Sequence, residues 1–403
     1  MAKIIPFNGI RYRGAYEKNL SGLICPPYDV INKQQRKSLT DSAATNFVNI
    51  ELPVSDASSK KHLQSWLKKG VLAKEKTPAL YFYQQEFSLA GKKFKRTGFF
   101  AGLELDEKYI HKHEKTIQKH IDHRFELLKT VKVNTSPIFC LFPDKTKTIT
   151  NFILNTVKKN KPITFKDPDG IINRLWVVTD KAVISELAEK IKKTALVIAD
   201  GHHRCRTGML YRDLIESGPS CSDSRGSKIG NRKQKLKNKN QNYKYILSFF
   251  CSIEDPGLVV LPTHRVIKAY PDIKEKLANN FTLSPWNGKS KPQIVCYHNG
   301  EFSTLTLKDK TFAKKNKLEA EISAIVLNEF LLSAINPENI FFTKDIGEAV
   351  KKAHEIEGYA FLLEPPNVNT VFELSQKGKV MPQKTTYFYP KVPAGLVIYS
   401  LED

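Results

Sequence analysis

Thr194-Ala195-Leu196-Val197-Ile198-Ala199 is a short apolar run that passes directly into Asp200-Gly201-His202-His203-Arg204, after which Cys205 to Glu216 carries apolar residues at helical spacing. A buried strand, a glycine turn and a helix in immediate succession restrict the chain to folds in which helices cover a sheet, and such turns commonly carry ligands. Gly201 permits a tight bend, the first helical turn offers unpaired N–H groups, and Arg204 adds a fork of donors. The group reads as an anion cradle, or else as a helix cap at Asp200 with two histidines that pack or hydrate. Adjacent helical residues point about 100° apart, so at most one of His202 and His203 faces a ligand.

Strands are expected at Ile4 to Ile10, Ala79 to Phe87, Lys93 to Leu105, Pro137 to Phe142 and Arg174 to Val178, and helices at Lys119 to Val131 and Lys181 to Lys193. Between Gly218 and Lys244 large apolar residues almost vanish while Arg225, Lys228, Arg232, Lys233, Lys235, Lys237, Lys239 and Lys244 accumulate, the pattern of a solvated loop or linker. Beyond it, Tyr245 to Ile253 reads as a strand, Asp272 to Asn280 as a helix, and Gln293 to Tyr297 with Phe302 to Leu307 as a hairpin turning at Asn299-Gly300. Leu318 to Ile335 and Asp345 to Ile356 read as helices, and Ala360 to Leu363 and Thr370 to Glu373 as extended. The expected organisation is an N-terminal α/β unit over 1–217, a basic insertion or linker over 218–244, and a C-terminal mixed α/β unit over 245–403. The class is mixed α and β, of the α+β or α/β kind.

With 41% hydrophobic and 26% charged residues among 403, the chain is not disordered throughout. Its formal net charge of +23 attracts anions, and the basic segment accounts for only part of that excess. No window approaches the roughly 18 apolar residues of a membrane helix, and no apolar signal core precedes Asn8 and Gly9, so a cytoplasmic protein without a membrane partner is expected. The six cysteines lack any C-x-x-C pair and read as small buried hydrophobes. His111, His113, His120 and His123 with Glu114 form a weak zinc pattern. The ending Tyr387-Phe388-Tyr389-Pro390-Lys391 either stacks a base or packs in a core. His264-Arg265 either reaches an anion or ends an exposed strand. Neither G-x-x-x-x-G-K-[ST] nor G-x-G-x-x-G occurs, which leaves no P-loop or dinucleotide fingerprint.

Six blocks occur in order: Pro26-Pro27-Tyr28-Asp29-Val30-Ile31; His113-Glu114-Lys115-Thr116 with Asp122-His123-Arg124; Ser136-Pro137-Ile138-Phe139; Ala199 to Arg204; Leu261-Pro262-Thr263-His264-Arg265; and Met381 to Lys391. Through these blocks the chain resembles the DUF1015 family, with Thr385 where the family usually shows Ser and with residues 218–244 as an apparent insertion. That resemblance implies no settled activity. The Asp-Gly-His-x-Arg turn alone is similar to the phosphate-binding turn of the ParB and sulfiredoxin superfamily, especially its free-serine kinases. It lacks sulfiredoxin's Cys before the His-Arg pair, since His202 stands there and Cys205 follows Arg204. Of the Glu-Arg-Arg series of ParB-type proteins it matches only Arg204.

The second resemblance implies a ParB/sulfiredoxin-like nucleotide-binding core and a kinase-like phosphotransferase, which would use ATP or ADP with Mg²⁺ and a small hydroxylated metabolite. Phosphoryl transfer needs donors on the phosphate, usually a metal, and a group that orients the acceptor hydroxyl. Gly201, His203 and Arg204 would hold phosphate oxygens, with Lys115, Arg124, Arg265 and Lys384 as further candidates. Glu114, then Asp29, then His202 are the candidates for acceptor activation, and Asp200 for metal contact. The competing readings are a regulatory protein that binds nucleic acid nonspecifically through residues 225–244, and a metabolite sensor without catalysis.

Overall fold

The computed structural model describes residues 1–112, 114, 118–158, 160–217 and 240–402, apart from the side chain of His120. These residues form two compact units: residues 1–110, 117–257 and 391–403 make the first, and 111–116 with 258–390 the second. Residues 218–239 of the basic segment expected over 218–244 lie outside the described residues, and with them most of the expected nucleic-acid contact over 225–244, as do His113, Lys115 and Cys221.

The first unit is built on a mixed sheet of nine strands among the described residues. Its order is Ile110–His111, Leu196–Asp200, Ile138–Phe142, Tyr245–Ser252, Lys92–Glu104, Leu80–Leu89, Ile172–Val178 and Ile163–Lys166, with Ile4–Ile5 beside Lys92–Glu104. The Tyr245–Ser252 strand sits inside this sheet, antiparallel to Lys92–Glu104 and parallel to Ile138–Phe142. All eight of its residues are buried, as a strand covered on both faces requires. The boundary expected at 245 therefore moves to after Gly257, and the first unit regains the chain at Lys391. Sequence spacing placed Tyr245 after a linker, but hydrogen bonding and burial assign it to the sheet before that linker.

One face of the sheet carries an apolar core. Leu80, Phe82, Phe99, Ala101, Ile138, Cys140, Ile198 and Phe250 pack under the helices Thr148–Val157, Lys181–Lys192 and His202–Ser217, which contribute Ile149, Ile153, Leu187, Ile191, Cys205 and Met209. Phe99 stacks on Phe250 at 4.8 Å between ring centres. Because successive strand residues alternate between faces, the opposite side presents Tyr83, Gln85, Arg96 and Phe249, a buried polar and aromatic layer. The returning C-terminal segment is tied in by paired backbone bonds between Ile10 and Ile398 (2.9 and 3.0 Å) and by Ala394 N–H to the Cys25 carbonyl at 2.8 Å.

The second unit has a six-stranded antiparallel sheet in the order Phe281–Pro285, Glu301–Leu307, Ile294–His298, Tyr359–Leu363, His264–Ile267 and Phe341–Thr343. The Asn299-Gly300 hairpin is present: both residues have positive φ, and His298 pairs with Glu301. Two expectations change. Thr370 to Glu373 lies in a helix, Val368–Gln376, capped by the Asn367 side chain on the Asn369 N–H, because burying Thr370, Val371, Leu374 and Ser375 along one helical stripe outweighs the local β preference. The expected helix over Leu318 to Ile335 is instead broken into Lys317–Ala320, Ser323–Leu327 and a π-helical turn Asn328–Leu332, each offering apolar residues to the core. The expected Ile4 to Ile10 strand is likewise interrupted, since Pro6 has no N–H to donate.

Candidate functional site: the Asp200–Arg204 bend

Leu196–Asp200 pairs antiparallel with Ile138–Phe142, and the register slips between Ile198 and Asp200, so the strand bends as it reaches the turn. Gly201 follows with φ +90°, and an added Cβ would lie 3.1 Å from the Arg204 guanidinium and 3.1 Å from the Ile138 Cα. The backbone conformation disfavours any side chain here, and a Cβ would have tight contacts. Helix His202–Ser217 begins at once, and the Cys205 N–H bonds back to the Gly201 carbonyl at 2.9 Å.

Asp200 is clamped by two cations. Its Oδ2 accepts from Arg204 Nη2 at 2.7 Å, and its Oδ1 accepts from Lys391 Nζ at 2.9 Å. The side chains of Asp200 and Lys391 are 20% and 12% exposed, so the pairs lie at the edge of solvent. Arg204 Nη1 donates to the Pro137 carbonyl, joining the bend to the Ser136-Pro137 block. Burial, the largest influence, pulls the Arg204 guanidinium down, yet Asp200, Asp29, Tyr28 and Glu51 together hold it above its ordinary value. Each Asp200 oxygen thus accepts from one cation, so the carboxylate expected to contact a metal is held in an ion-pair clamp.

Beneath the bend lies a carboxylate that sequence reasoning missed. Glu51, at the end of helix Val48–Glu51, is fully buried. Its Oε1 accepts from the Tyr28 N–H at 3.2 Å and the Ser136 hydroxyl at 2.9 Å, and its Oε2 lies 3.4 Å from Arg124 Nη2. Arg124 also donates to the Glu51 carbonyl at 2.7 Å and the Thr135 hydroxyl at 3.0 Å, and stands 4.2 Å from the Tyr28 ring centre. Burial and then Asp29 push the Tyr28 phenol up. Glu51 could have been suspected as the one acidic residue closing the run Phe47-Val48-Asn49-Ile50. A cavity of ≈ 30 Å³ lined by Arg124, Thr135, Ser136, Arg204 and Thr207 has room for about one water.

The structure thus gathers Asp29, Arg124, Asp200, Gly201, His202, His203 and Arg204 in the first unit. His202 is 6% exposed and turned inward, while His203 is partly exposed, so His203 is the histidine on the solvent side. Glu114, Arg265 and Lys384 belong to the second unit. There Arg265 is 2% exposed and donates to the carbonyls of Thr263 (2.9 Å), Gln383 (3.2 Å) and Lys384 (3.5 Å). Burial lowers it to about 10 against the opposing field of Glu114, whose backbone bridges Met381. His264-Arg265 is therefore interior, not an exposed strand end. Tyr387–Tyr389 forms a strand paired with Val259–Leu261; Phe388 is buried, and Lys344 lies 5.0 Å from the Tyr387 ring centre.

Among the described residues no group of three or more His, Cys, Asp or Glu could hold a metal, and no helix is long and apolar enough to cross a membrane. Cys25, Cys140, Cys205, Cys251 and Cys296 are all buried, as expected of small hydrophobes.

A family profile described as "Protein of unknown function (DUF1015)" matches residues 4–327. No curated protein is significantly similar to the chain. Among solved structures, a conserved hypothetical protein from Pyrococcus furiosus is 14% identical, with 73% of this chain and 93% of that one covered and a TM-score of 0.37. A free serine kinase mutant in complex with ADP is 13% identical, with coverage of 73% and 89% and a TM-score of 0.38. SbnI with a C-terminal truncation, from Staphylococcus aureus, is 7% identical, with coverage of 73% and 84% and a TM-score of 0.40.

Proposed function

The chain belongs to the DUF1015 family, and from that premise we propose that it is a nucleotide-dependent phosphotransferase acting on a small hydroxylated metabolite, with the nucleotide's phosphate at the Asp200–Arg204 bend. One observation carries the reading: a glycine at φ +90°, where a Cβ would meet contacts of 3.1 Å, opens a sixteen-residue helix beside Arg204 and Lys391, both oriented by Asp200. Backbone N–H groups at a helix start favour an anion, and the two cations add charge where it would sit. A ParB/sulfiredoxin-like core is the fold that the turn suggests for this role.

The residues divide the work by chemistry. Gly201 and His203 supply backbone N–H groups, Arg204 and Lys391 supply charge, and Arg124 acts as an internal strut. A nucleotide bound here supplies the phosphoryl group. Asp29, whose charge acts on Arg204, is the first-unit carboxylate proposed to orient the acceptor hydroxyl. The inward His202 is the weaker base. In the second unit Glu114, with Arg265 and Lys384, remains the alternative carboxylate group, and Lys115 lies outside the described residues. Asp200 is the carboxylate proposed to contact the Mg²⁺ expected with ATP.

Calorimetry with ADP and with ATP plus Mg²⁺ tests the proposal. Micromolar binding that Arg204→Ala weakens at least tenfold is expected, followed by ADP release from ATP in the presence of a hydroxylated acceptor. Absence of binding by any common nucleotide overturns the reading. Binding without product over long incubation makes the protein a sensor.

A further inference from the structure

We infer that Glu51 is a positioning residue for the anion site: one buried carboxylate that holds, through three partners, the Ser136-Pro137 segment that anchors Arg204 and the Tyr28-Asp29 turn whose charge acts on it. The inference rests on the nucleotide reading above and assigns to the site a residue that touches no ligand.

The first segment is Ser136-Pro137. The Ser136 hydroxyl donates to Glu51 Oε1 at 2.9 Å, and the next residue's carbonyl accepts from Arg204 Nη1. A shift of Ser136 therefore moves the acceptor that aims the Arg204 guanidinium. The second segment is Tyr28-Asp29. The Tyr28 N–H donates to the same oxygen at 3.2 Å, and the Tyr28 ring lies 4.2 Å from the Arg124 guanidinium, which Glu51 also holds. Asp29 follows directly and acts electrostatically on Arg204. Glu51 thus sets both the carbonyl that anchors Arg204 and the turn that carries the proposed acceptor-orienting carboxylate.

Packing alone does not account for this choice of side chain. Burying a carboxylate is costly, and its pairing with Arg124 repays that only in good geometry, so an apolar pair in place of both Glu51 and Arg124 would serve stability as well. What the carboxylate adds is direction: its two oxygens set the angles at which a hydroxyl, a backbone N–H and a guanidinium arrive. A displacement of about 1 Å in a group that contacts phosphate is enough to cost on the order of 100-fold in transfer rate.

The test compares Glu51→Gln, Ser136→Ala and Leu63→Ala with the full-length protein. Leu63 is a buried residue of helix Asp56–Lys68 outside the network, so its truncation measures generic destabilisation. Affinity for ADP and for inorganic pyrophosphate is measured by calorimetry at least 15 °C below each variant's unfolding midpoint. The Arg124 side-chain N–H resonance is followed in ¹⁵N-arginine protein and assigned with Arg124→Lys. Glu51→Gln is expected to weaken ADP at least tenfold and to shift that resonance. Ser136→Ala, which removes one bond and keeps the fold, is expected to weaken ADP about threefold. Leu63→Ala should lower the midpoint and leave affinity within twofold. Wild-type affinity in both Glu51→Gln and Ser136→Ala, or an equal loss in Leu63→Ala, overturns the positioning role while leaving the nucleotide reading intact. If Glu51→Gln does not fold, Ser136→Ala decides alone. A wild-type protein that binds neither ADP nor pyrophosphate overturns both.

Discussion

Lys391 donates to Asp200 at 2.9 Å across 191 positions of sequence, and this bond closes the clamp on the carboxylate that precedes Gly201. The returning C-terminal segment thus delivers a cation to the bend. Lys391→Met should remove one of the two cations that hold Asp200, lower stability by about 1–2 kcal/mol and weaken ADP about tenfold. Thermal unfolding and calorimetry read the two effects, and unchanged ADP affinity would remove Lys391 from the site.

Gly201→Ala introduces a Cβ at φ +90° into contacts of 3.1 Å with the Arg204 guanidinium and the Ile138 backbone. The strained backbone and tight contacts should cost about 1–3 kcal/mol and displace Arg204. Gly22→Ala is the control, because its Cβ meets nothing within 4 Å and its φ is not positive. Denaturant unfolding should show a large loss for the first and a near-neutral second; equal effects would contradict the constraint.

Asp255 and His264 should give opposite pH responses. Burial pushes Asp255 up to about 6, while its oxygens accept from the N–H groups of Thr97 (3.0 Å) and Gly257 (2.8 Å). Its protonated form is favoured by folding, so its contribution to stability is present below about pH 4 and is lost as pH rises through about 6. Burial lowers His264 to about 4, and its Nδ1 accepts from the Leu363 N–H at 3.1 Å. Its contribution is present above about pH 6.5 and is lost as pH falls through about 4. Hydrogen exchange at Thr97 and Leu363, corrected for intrinsic rate, should therefore slow toward low and high pH respectively. Asp255→Asn and His264→Asn should flatten these trends, and slopes retained in the variants would reject the assignment.

Arg96 is fully buried, bonded to Gln85, with its guanidinium 5.1 and 5.7 Å from the ring centres of Phe139 and Phe249. Burial lowers its basicity, and its charge pulls the Asp255 carboxyl down. Arg96→Met fills similar space with an apolar chain, so stability should change by less than about 2 kcal/mol while Asp255 titrates higher than in the wild type. An unchanged Asp255 midpoint by NMR would show that Arg96 does not act on it.

Local pattern made much of the molecule legible. The apolar run before Asp200 predicted the strand and the helix that flank the bend, and the Asn299-Gly300 hairpin followed from turn chemistry. Those features depend on neighbours in sequence: residue period, positive-φ residues and unpaired N–H groups at a helix start. Arg124, Arg204 and Arg265 were recognisable as special residues, but their bonds to Glu51, Pro137 and the Gln383 carbonyl were not, because a guanidinium accepts any oxygen that folding brings to it.

What tertiary structure alone decided was membership and pairing. Tyr245–Ser252 joined the first sheet because its hydrogen-bonding partners are Lys92–Glu104 and Ile138–Phe142, strands more than a hundred residues earlier. Thr370 became helical because the core it faces rewards a buried stripe more than local β propensity penalises it. Glu51 and Lys391 carry no local signature, since a carboxylate in an apolar run or a lysine after a proline acquires a role only from the donors and acceptors that distant chain places within 3.5 Å. Sequence by itself determined where the backbone bends at Gly201; folding determined which charges surround that bend.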